Sequence, residues 1–527
     1  MSRTRLFALA RRALVRARIS LPDAPPAARA ISRRAALVML GASAAACGPR
    51  APSTSVAPDT RPVAIVGGGT SGLVVAWRLA LAGVASTIYE SSGRTGGRMF
   101  TQRDFTAEGL FCELGGELVD SNHAALIGLC GELGLPLQRL RPEGDMASDV
   151  YDFRGQTHTV GDLIDPQSGT GAFLPIATRI AFDQQALLDA DGAWTARALE
   201  LDALPLSQYL ASLRGSADDW VIDFLDSAYQ GEFGLPTNQQ SSLNLVDYIA
   251  TDAGAPFSVF GESDEAHRIA GGSATLPETL TARLAAPDLA RAARIFLRHE
   301  LARISRDGEG FTLEFRSPEG PIVAEASRVV LALPFTRLRT IDGVGGLGLS
   351  ADKMRAINEL GYGANAKLMV ATNSRPWRDA AILDLNAPLT GSIYSDRGFQ
   401  QIWDTSVAQE GAGGVITNFL SDEAAKGEEA EALATLESGL RALAPKLAAA
   451  LTPDTRASFF WPRHPHTLGS YSAARVGQYT GLFEHAASSA FGGVLQFAGE
   501  HTSVDGYGFM NGAVDAGERV TRDLLAA

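Results

Sequence analysis

Pro62-Val63-Ala64-Ile65-Val66-Gly67-Gly68-Gly69-Thr70-Ser71-Gly72 decides the fold. Residues 62–66 form a short apolar run with β-branched side chains, the pattern of a buried strand. The glycine cluster follows at once, and a helical periodicity runs from Thr70 through Leu79. Gly67, Gly69 and Gly72 are spaced G-x-G-x-x-G, with Ser71 in the same turn. Glycines there permit a tight turn and let backbone approach a pyrophosphate seated on the helix N-terminus. A second strand, Ser86-Thr87-Ile88-Tyr89-Glu90, ends in an acid about twenty residues on, where a carboxylate can take a ribose hydroxyl. Strand, glycine turn, helix, strand and acid together predict a dinucleotide-binding α/β domain.

Directly after Glu90 comes Gly93-Arg94-Thr95-Gly96-Gly97-Arg98, a second glycine–arginine element that nicotinamide enzymes do not call for. Glu113-Leu114-Gly115-Gly116-Glu117 follows. Near the C-terminus stand Val494-Leu495-Gln496-Phe497-Ala498-Gly499-Glu500, His501-Thr502-Ser503 and Gly508-Phe509-Met510-Asn511-Gly512-Ala513, entering a helix. In these segments the chain resembles the flavin-containing amine oxidases, the family of monoamine, polyamine and L-amino-acid oxidases. Arg268-Ile269-Ala270-Gly271-Gly272 and Val329-Val330-Leu331-Ala332-Leu333-Pro334 extend the resemblance over most of the chain.

The resemblance implies a Rossmann-like FAD-binding domain of the two-dinucleotide-binding type, interleaved with a mixed α+β substrate domain. It divides the chain into flavin-domain parts at 61–125, 266–342 and 456–527. Substrate-domain parts fall at 126–265, largely helical, and 343–455. It places Arg98 along the FAD phosphates and sugar, and Gly115, Gly116 and Glu117 in a flavin-contacting turn. Leu301 falls where backbone packs against adenine. Gly499 and Glu500 fall near the ribityl or phosphate region, and Met510 at the start of the closing helix. His501 is expected to be structural. Ser470 stands where monoamine oxidases with covalent flavin have cysteine, so FAD is expected to be non-covalent.

Lys367 lies in the apolar run Ala364-Asn365-Ala366-Lys367-Leu368-Met369-Val370, and only four lysines occur among 46 basic residues. A chain that otherwise uses arginine has a specific need where it keeps lysine, because a compact ammonium can hold a water differently from a guanidinium. The resemblance implies a lysine bridged by water to flavin N5, assisting reoxidation by oxygen; a lysine on an exposed edge strand is the plainer alternative. For substrate, the resemblance points to an aromatic pair, Tyr471 and Phe509, over the flavin. Phe509 departs from the tyrosine common there. Asp120 matches an acid that polyamine oxidases hold near the substrate amine, and it also fits as a cap for a helix from about His123. No arginine matches a carboxylate clamp outright; Arg375, Arg397 and Arg463 are the candidates.

A net charge of −13 argues against a nucleic-acid partner. Three cysteines, Cys47, Cys112 and Cys130, show no metal-type spacing and make no disulfide scaffold. Residues 1–47 read as a twin-arginine-type signal: Ser32-Arg33-Arg34, then an apolar run of roughly a dozen residues, too short to span a bilayer. Ala44-Ala45-Ala46-Cys47 loosely resembles a lipoprotein box, and a lipidated Cys47 would tether the chain to a membrane; without it the product would be periplasmic or secreted. Residues 48–60 read as a linker.

The function expected is oxidation of a primary amine or L-amino acid by hydride transfer to FAD, with O2 as acceptor, giving an imine, then aldehyde or keto acid, ammonia and hydrogen peroxide. A desaturase or protoporphyrinogen-type oxidase and a non-catalytic exported flavoprotein are the alternatives. Self-association into a homodimer is left open.

Overall fold

The computed structural model describes residues 62–140, 147–165, 171–251, 259–289, 292–308, 310–383 and 389–526. The signal, the linker and Cys47 lie outside the described residues. A five-stranded sheet runs in the order Leu495–Phe497, Val329–Leu331, Val63–Val66, Ser86–Glu90, Ala293–Leu297, with every neighbouring pair parallel. The central strand alternates between two cores, as a strand covered on both faces must. Val63 and Ile65 join the helices Thr70–Leu81 and Met510–Ala526 on one face. Ala64 and Val66 join Leu301, Phe311 and Phe315 on the other. The two helices approach closely at Gly517, where an added Cβ would sit 2.8 Å from Val74. The aromatic side chains on the second face belong to a three-stranded antiparallel sheet, Glu300–Asp307, Gly310–Ser317 and Gly320–Ala326.

A seven-stranded sheet forms the second layer system, in the order Leu451–Phe460, Asn365–Thr372, Gly414–Ser421, Gln400–Asp404, Leu389–Ser395, Ser148–Phe153, Gln156–Thr159. Its helical cover comes from residues 174–233, ending in the helix Asp219–Phe233. The molecule is thus a Rossmann-like α/β domain interleaved with a mixed α+β domain, as the resemblance implies. One local difference stands out. Two strands, Ser148–Phe153 and Gln156–Thr159, lie inside a segment whose periodicity reads mostly as helix. The first contains Asp152, which is fully buried and accepts from Ser395 Oγ and the Arg397 guanidinium. A buried acid breaks the apolar alternation that marks a strand.

Candidate functional site

The glycine turn is built for close approach. Gly67 has φ +107°, and a Cβ there would lie 2.4 Å from the Ala332 carbonyl oxygen. A Cβ on Gly72 would lie 2.1 Å from the Gly67 carbonyl oxygen. At Gly69, by contrast, the nearest atom to an added Cβ is the Gly97 Cα at 4.0 Å, so this turn keeps open space beside it. Gly69 caps the helix Thr70–Leu81 without a side-chain hydrogen bond, and no acid stands in the first turn. The helix therefore presents unopposed N–H groups and the positive end of its dipole. Ser71 Oγ, buried beside it, has no hydrogen-bond partner among the described residues. Glu90 accepts from the Gly68 N–H at 2.6 Å and the Ser92 N–H at 2.7 Å, which fixes its carboxylate beside the turn. An open anion-binding helix end with a carboxylate on its flank fits a dinucleotide.

The segments far along the chain meet around Arg98. Its Nη1 donates to Glu500 Oε1 and to the Ser470 carbonyl, both at 2.8 Å. Its carbonyl accepts from the Gly116 N–H at 3.0 Å, and a Cβ on Gly115 would lie 2.0 Å from that oxygen. A Cβ on Gly116 would lie 2.8 Å from Met510, so this turn and the closing helix touch. Glu500 also accepts from Ser472 N at 3.1 Å, Ser472 Oγ at 2.6 Å and Gly508 N at 2.7 Å. Burial alone would raise its pKa; Arg98 and these donors outweigh burial and hold it below the ordinary glutamate value. With about four acceptor positions, all taken, the carboxylate serves to fix Arg98. Gly499, at φ +131°, makes the turn that delivers it. Leu301 is buried in the core beneath the five-stranded sheet.

His501 is fully buried, and burial, the leading cause, lowers its pKa to about 3. Neither ring nitrogen has a hydrogen-bond partner among the described residues, and the ring packs edge-on to Phe335. A neutral, unpartnered imidazole is a packing group. His501→Leu is expected to stay within about 1 kcal/mol of parental stability, because no hydrogen bond is lost. The pH–rate profile is expected to keep its shape; a limb that vanishes in the variant would make His501 a titrating participant.

Lys367 sits in the strand Asn365–Thr372, which is buried throughout and flanked on both sides by other strands, so it is not on an edge. Its Nζ lies 2.8 Å from Glu117 Oε2 and 5.2 Å from the centroid of the Trp403 ring. The Trp403 indole N–H donates to the other Glu117 oxygen at 3.3 Å. The neighbouring Asn365 accepts at Oδ1 from Ser470 Oγ at 2.6 Å, which ties this strand to the residue whose carbonyl holds Arg98.

The aromatic pair is placed near two acids. The Tyr471 hydroxyl donates to the Glu232 carbonyl, and its ring lies 3.6 Å from where a Gly508 Cβ would be. Phe509 packs against His123, ring centroids 5.2 Å apart. His123 Nε2 is 3.1 Å from Asp120 Oδ2. Asp120 also accepts from Ser263 Oγ at 2.9 Å and Glu265 N at 2.8 Å. It does not cap the following helix, Ala124–Leu133, whose N-cap is His123. Glu232, at the end of the helix Asp219–Phe233, is the acid that sequence reasoning missed. Burial first, and then Asp120, push its carboxyl up to about 7. That carboxyl takes no hydrogen bond from the described residues. Helical spacing alone could not separate it from Asp219 and Asp223 of the same helix, which pair with Arg154 and Arg214.

The three candidate clamp arginines are all engaged. Arg375 donates to the Gly413 and Gln409 carbonyls, Arg397 pairs with Asp152, and Arg463 pairs with Glu428.

Comparison with known proteins accords with this architecture. The putative flavin-containing monoamine oxidase AofH of Mycobacterium tuberculosis is 27% identical over 280 residues, covering 53% of this chain. The aligned part spans 58% of AofH, less than two thirds of that relative. The putative L-amino-acid oxidase YobN of Bacillus subtilis is 23% identical over 495 residues, 88% of this chain and 94% of YobN. The structure of wild-type putrescine oxidase bound to putrescine superposes with a TM-score of 0.71 at 23% identity, covering 89% of this chain and 99% of that one. That likeness establishes a shared fold. The model of the flavin-containing amine oxidoreductases matches residues 70–525, from the first turn of the glycine-capped helix almost to the end of the closing one. The protein is therefore a member of the flavin-containing amine oxidoreductase family, with non-covalently held FAD as its cofactor.

Proposed function

We propose that this protein is an FAD-dependent oxidase of amines that carry a positive charge, and that Glu232 receives the substrate ammonium. The observation that carries this reading is a half-buried carboxyl whose pKa is pushed up to about 7, by burial first and then by Asp120, on the residue whose main-chain carbonyl accepts from the Tyr471 hydroxyl. A cation bound beside this carboxyl would favour its charged form. The engaged state of Arg375, Arg397 and Arg463 speaks for an amine over an amino acid.

FAD held by the glycine turn, Arg98 and the Glu500 segment would supply two-electron oxidation with O2 as the final acceptor. The net change is an amine, O2 and water to an aldehyde, ammonia and hydrogen peroxide. The chain's own residues do the rest. Tyr471 and Phe509 wall the amine, and an aromatic face attracts a cation. The ammonium must shed a proton before oxidation, since its lone pair is needed to form the imine. A carboxyl near 7 is poised to take that proton on Glu232 Oε. Asp120, held by Ser263, Glu265 and His123, supplies fixed negative charge. Lys367, by the resemblance, would face the flavin and would assist its reaction with oxygen.

Peroxide release by the purified yellow protein, measured against monoamines, diamines and L-amino acids, tests the reading. Amines are expected to be oxidised and neutral zwitterionic amino acids not; the reverse pattern would sink it. Glu232→Gln is expected to raise the amine KM by about 10- to 100-fold, the worth of one hydrogen bond to a charged group. With a wild-type carboxyl that ionises near 7, kcat/KM rises as pH increases through that value. That limb should be absent from Glu232→Gln.

A further inference from the structure

Glu117 falls in the turn that the resemblance assigns to flavin contact, yet its carboxylate is committed to other side chains. It is buried, 7% exposed, and its two oxygens are divided between Lys367 Nζ and the Trp403 indole N–H. Three neighbouring strands build this cluster. Lys367 is opposite Phe419, and Phe419 is opposite Gln401 on the next strand. Residues directly opposite share a face, and so do residues two apart along a strand, which puts Trp403 on the face of Lys367. The Trp403 ring packs 5.4 Å from Phe419, which fixes its indole over the ammonium. Glu117 arrives from 250 residues away, directly after the turn that rests on Arg98 and Met510.

We propose that Glu117 is a positioning residue that aims the Lys367 ammonium and cancels its charge, so that the Glu117–Lys367 pair sets the electrostatic environment of the flavin ring. The inference rests on the reading of Lys367 as a flavin-side residue. An unpaired ammonium in this interior would be costly, and removing either member of a buried pair leaves the other uncompensated. The two charges sum to zero while the pair is intact. Loss of Glu117 leaves a net +1 at the site, and loss of Lys367 leaves a net −1. Reduction adds negative charge to the flavin, so a local positive charge favours the reduced form and a negative charge disfavours it.

The test is the two-electron midpoint potential of the bound flavin, measured on substrate-free holoenzyme by equilibration with a reference dye. Glu117→Gln is expected to shift the equilibrium toward reduced flavin about tenfold, equal to about 30 mV for a two-electron couple. Lys367→Met should shift it comparably in the opposite direction, and the double variant should return close to the parent. Glu117→Asp keeps the charge and should hold the parental potential. If Glu117→Gln does not retain FAD, the comparison of Glu117→Asp with Lys367→Met carries the test. Equal shifts in Glu117→Gln and Glu117→Asp would mean packing alone and overturn the proposal. An unmoved potential in Lys367→Met would overturn it as well. No substrate enters the measurement, so its failure is separate from that of the amine-oxidase reading, which peroxide release decides.

Discussion

Lys367→Met is expected to leave a yellow, FAD-loaded protein whose reduced flavin reacts with oxygen on the order of 10²-fold more slowly, the scale of losing one preorganised charge in a water-poor site. Methionine matches the stem of lysine in length and suits a strand buried throughout, so the seven-stranded sheet should survive. What disappears is the ammonium between Glu117 and Trp403. The substitution also leaves Glu117 with only the 3.3 Å indole contact, and stability should fall by about 3–5 kcal/mol. Two measurements separate these effects. Flavin content reports retention of the cofactor, and rapid mixing of substrate-reduced protein with oxygen reports reoxidation. Unchanged oxygen kinetics at full flavin content would remove Lys367 from the chemistry.

Glu500→Gln is expected to release FAD. The carboxylate takes four donors, from Arg98, the Ser472 N–H and hydroxyl, and the Gly508 N–H. A side-chain amide offers one oxygen and one NH2 group, so its NH2 must face donors where the carboxylate faced none of its own kind. Arg98 loses its counter-charge in a nearly closed site, a loss of about 3–5 kcal/mol. Arg98 also bonds the Ser470 carbonyl, so the disturbance reaches the strand of Lys367 through Ser470 and Asn365. The pH behaviour follows from the depressed Glu500 pKa. A carboxyl whose folded pKa lies below its unfolded value adds stability above the unfolded value and loses it as pH falls through the folded one. The parent should therefore lose flavin in acid below about pH 4.5, the ordinary glutamate range. The variant should show weak flavin binding already at neutral pH. Flavin fluorescence during thermal and acid titration reads both; parental retention by Glu500→Gln at pH 7 would show that Arg98 needs no such partner.

The glycine turn of this candidate site was legible because close backbone approach demands local sequence. A turn at φ +107° against a carbonyl asks for glycine at 67, and the acid closing the second strand sits one helix away at Glu90. Those constraints act within thirty residues and leave a spacing that can be read. Lys367 was legible for another reason, its rarity in an arginine-rich chain. The substrate side was not legible in the same way. Glu117 meets Lys367 across 250 residues, and Asp120 meets Ser263 across 143. Such pairs follow from strand register and helix packing, which leave no local pattern. Glu232 differs from its helix neighbours only by what surrounds it, so sequence offered no way to rank it above them. Asp120 was read as either cap or substrate contact, and the structure gives it a third occupation among Ser263, Glu265 and His123.

Arg98 and Glu500 stand 402 residues apart in the chain, and the strand Leu495–Phe497 is the outer strand of the sheet beside Val329–Leu331. During synthesis Arg98 leaves the ribosome 402 residues before the carboxylate that secures it. Until that later segment emerges, the five-stranded sheet lacks one edge, Arg98 lacks its carboxylate and Gly116 lacks the methionine it rests on. The nascent chain therefore cannot complete its cofactor cradle in passing. The cradle closes only when segments from both sides of this 402-residue span are present together.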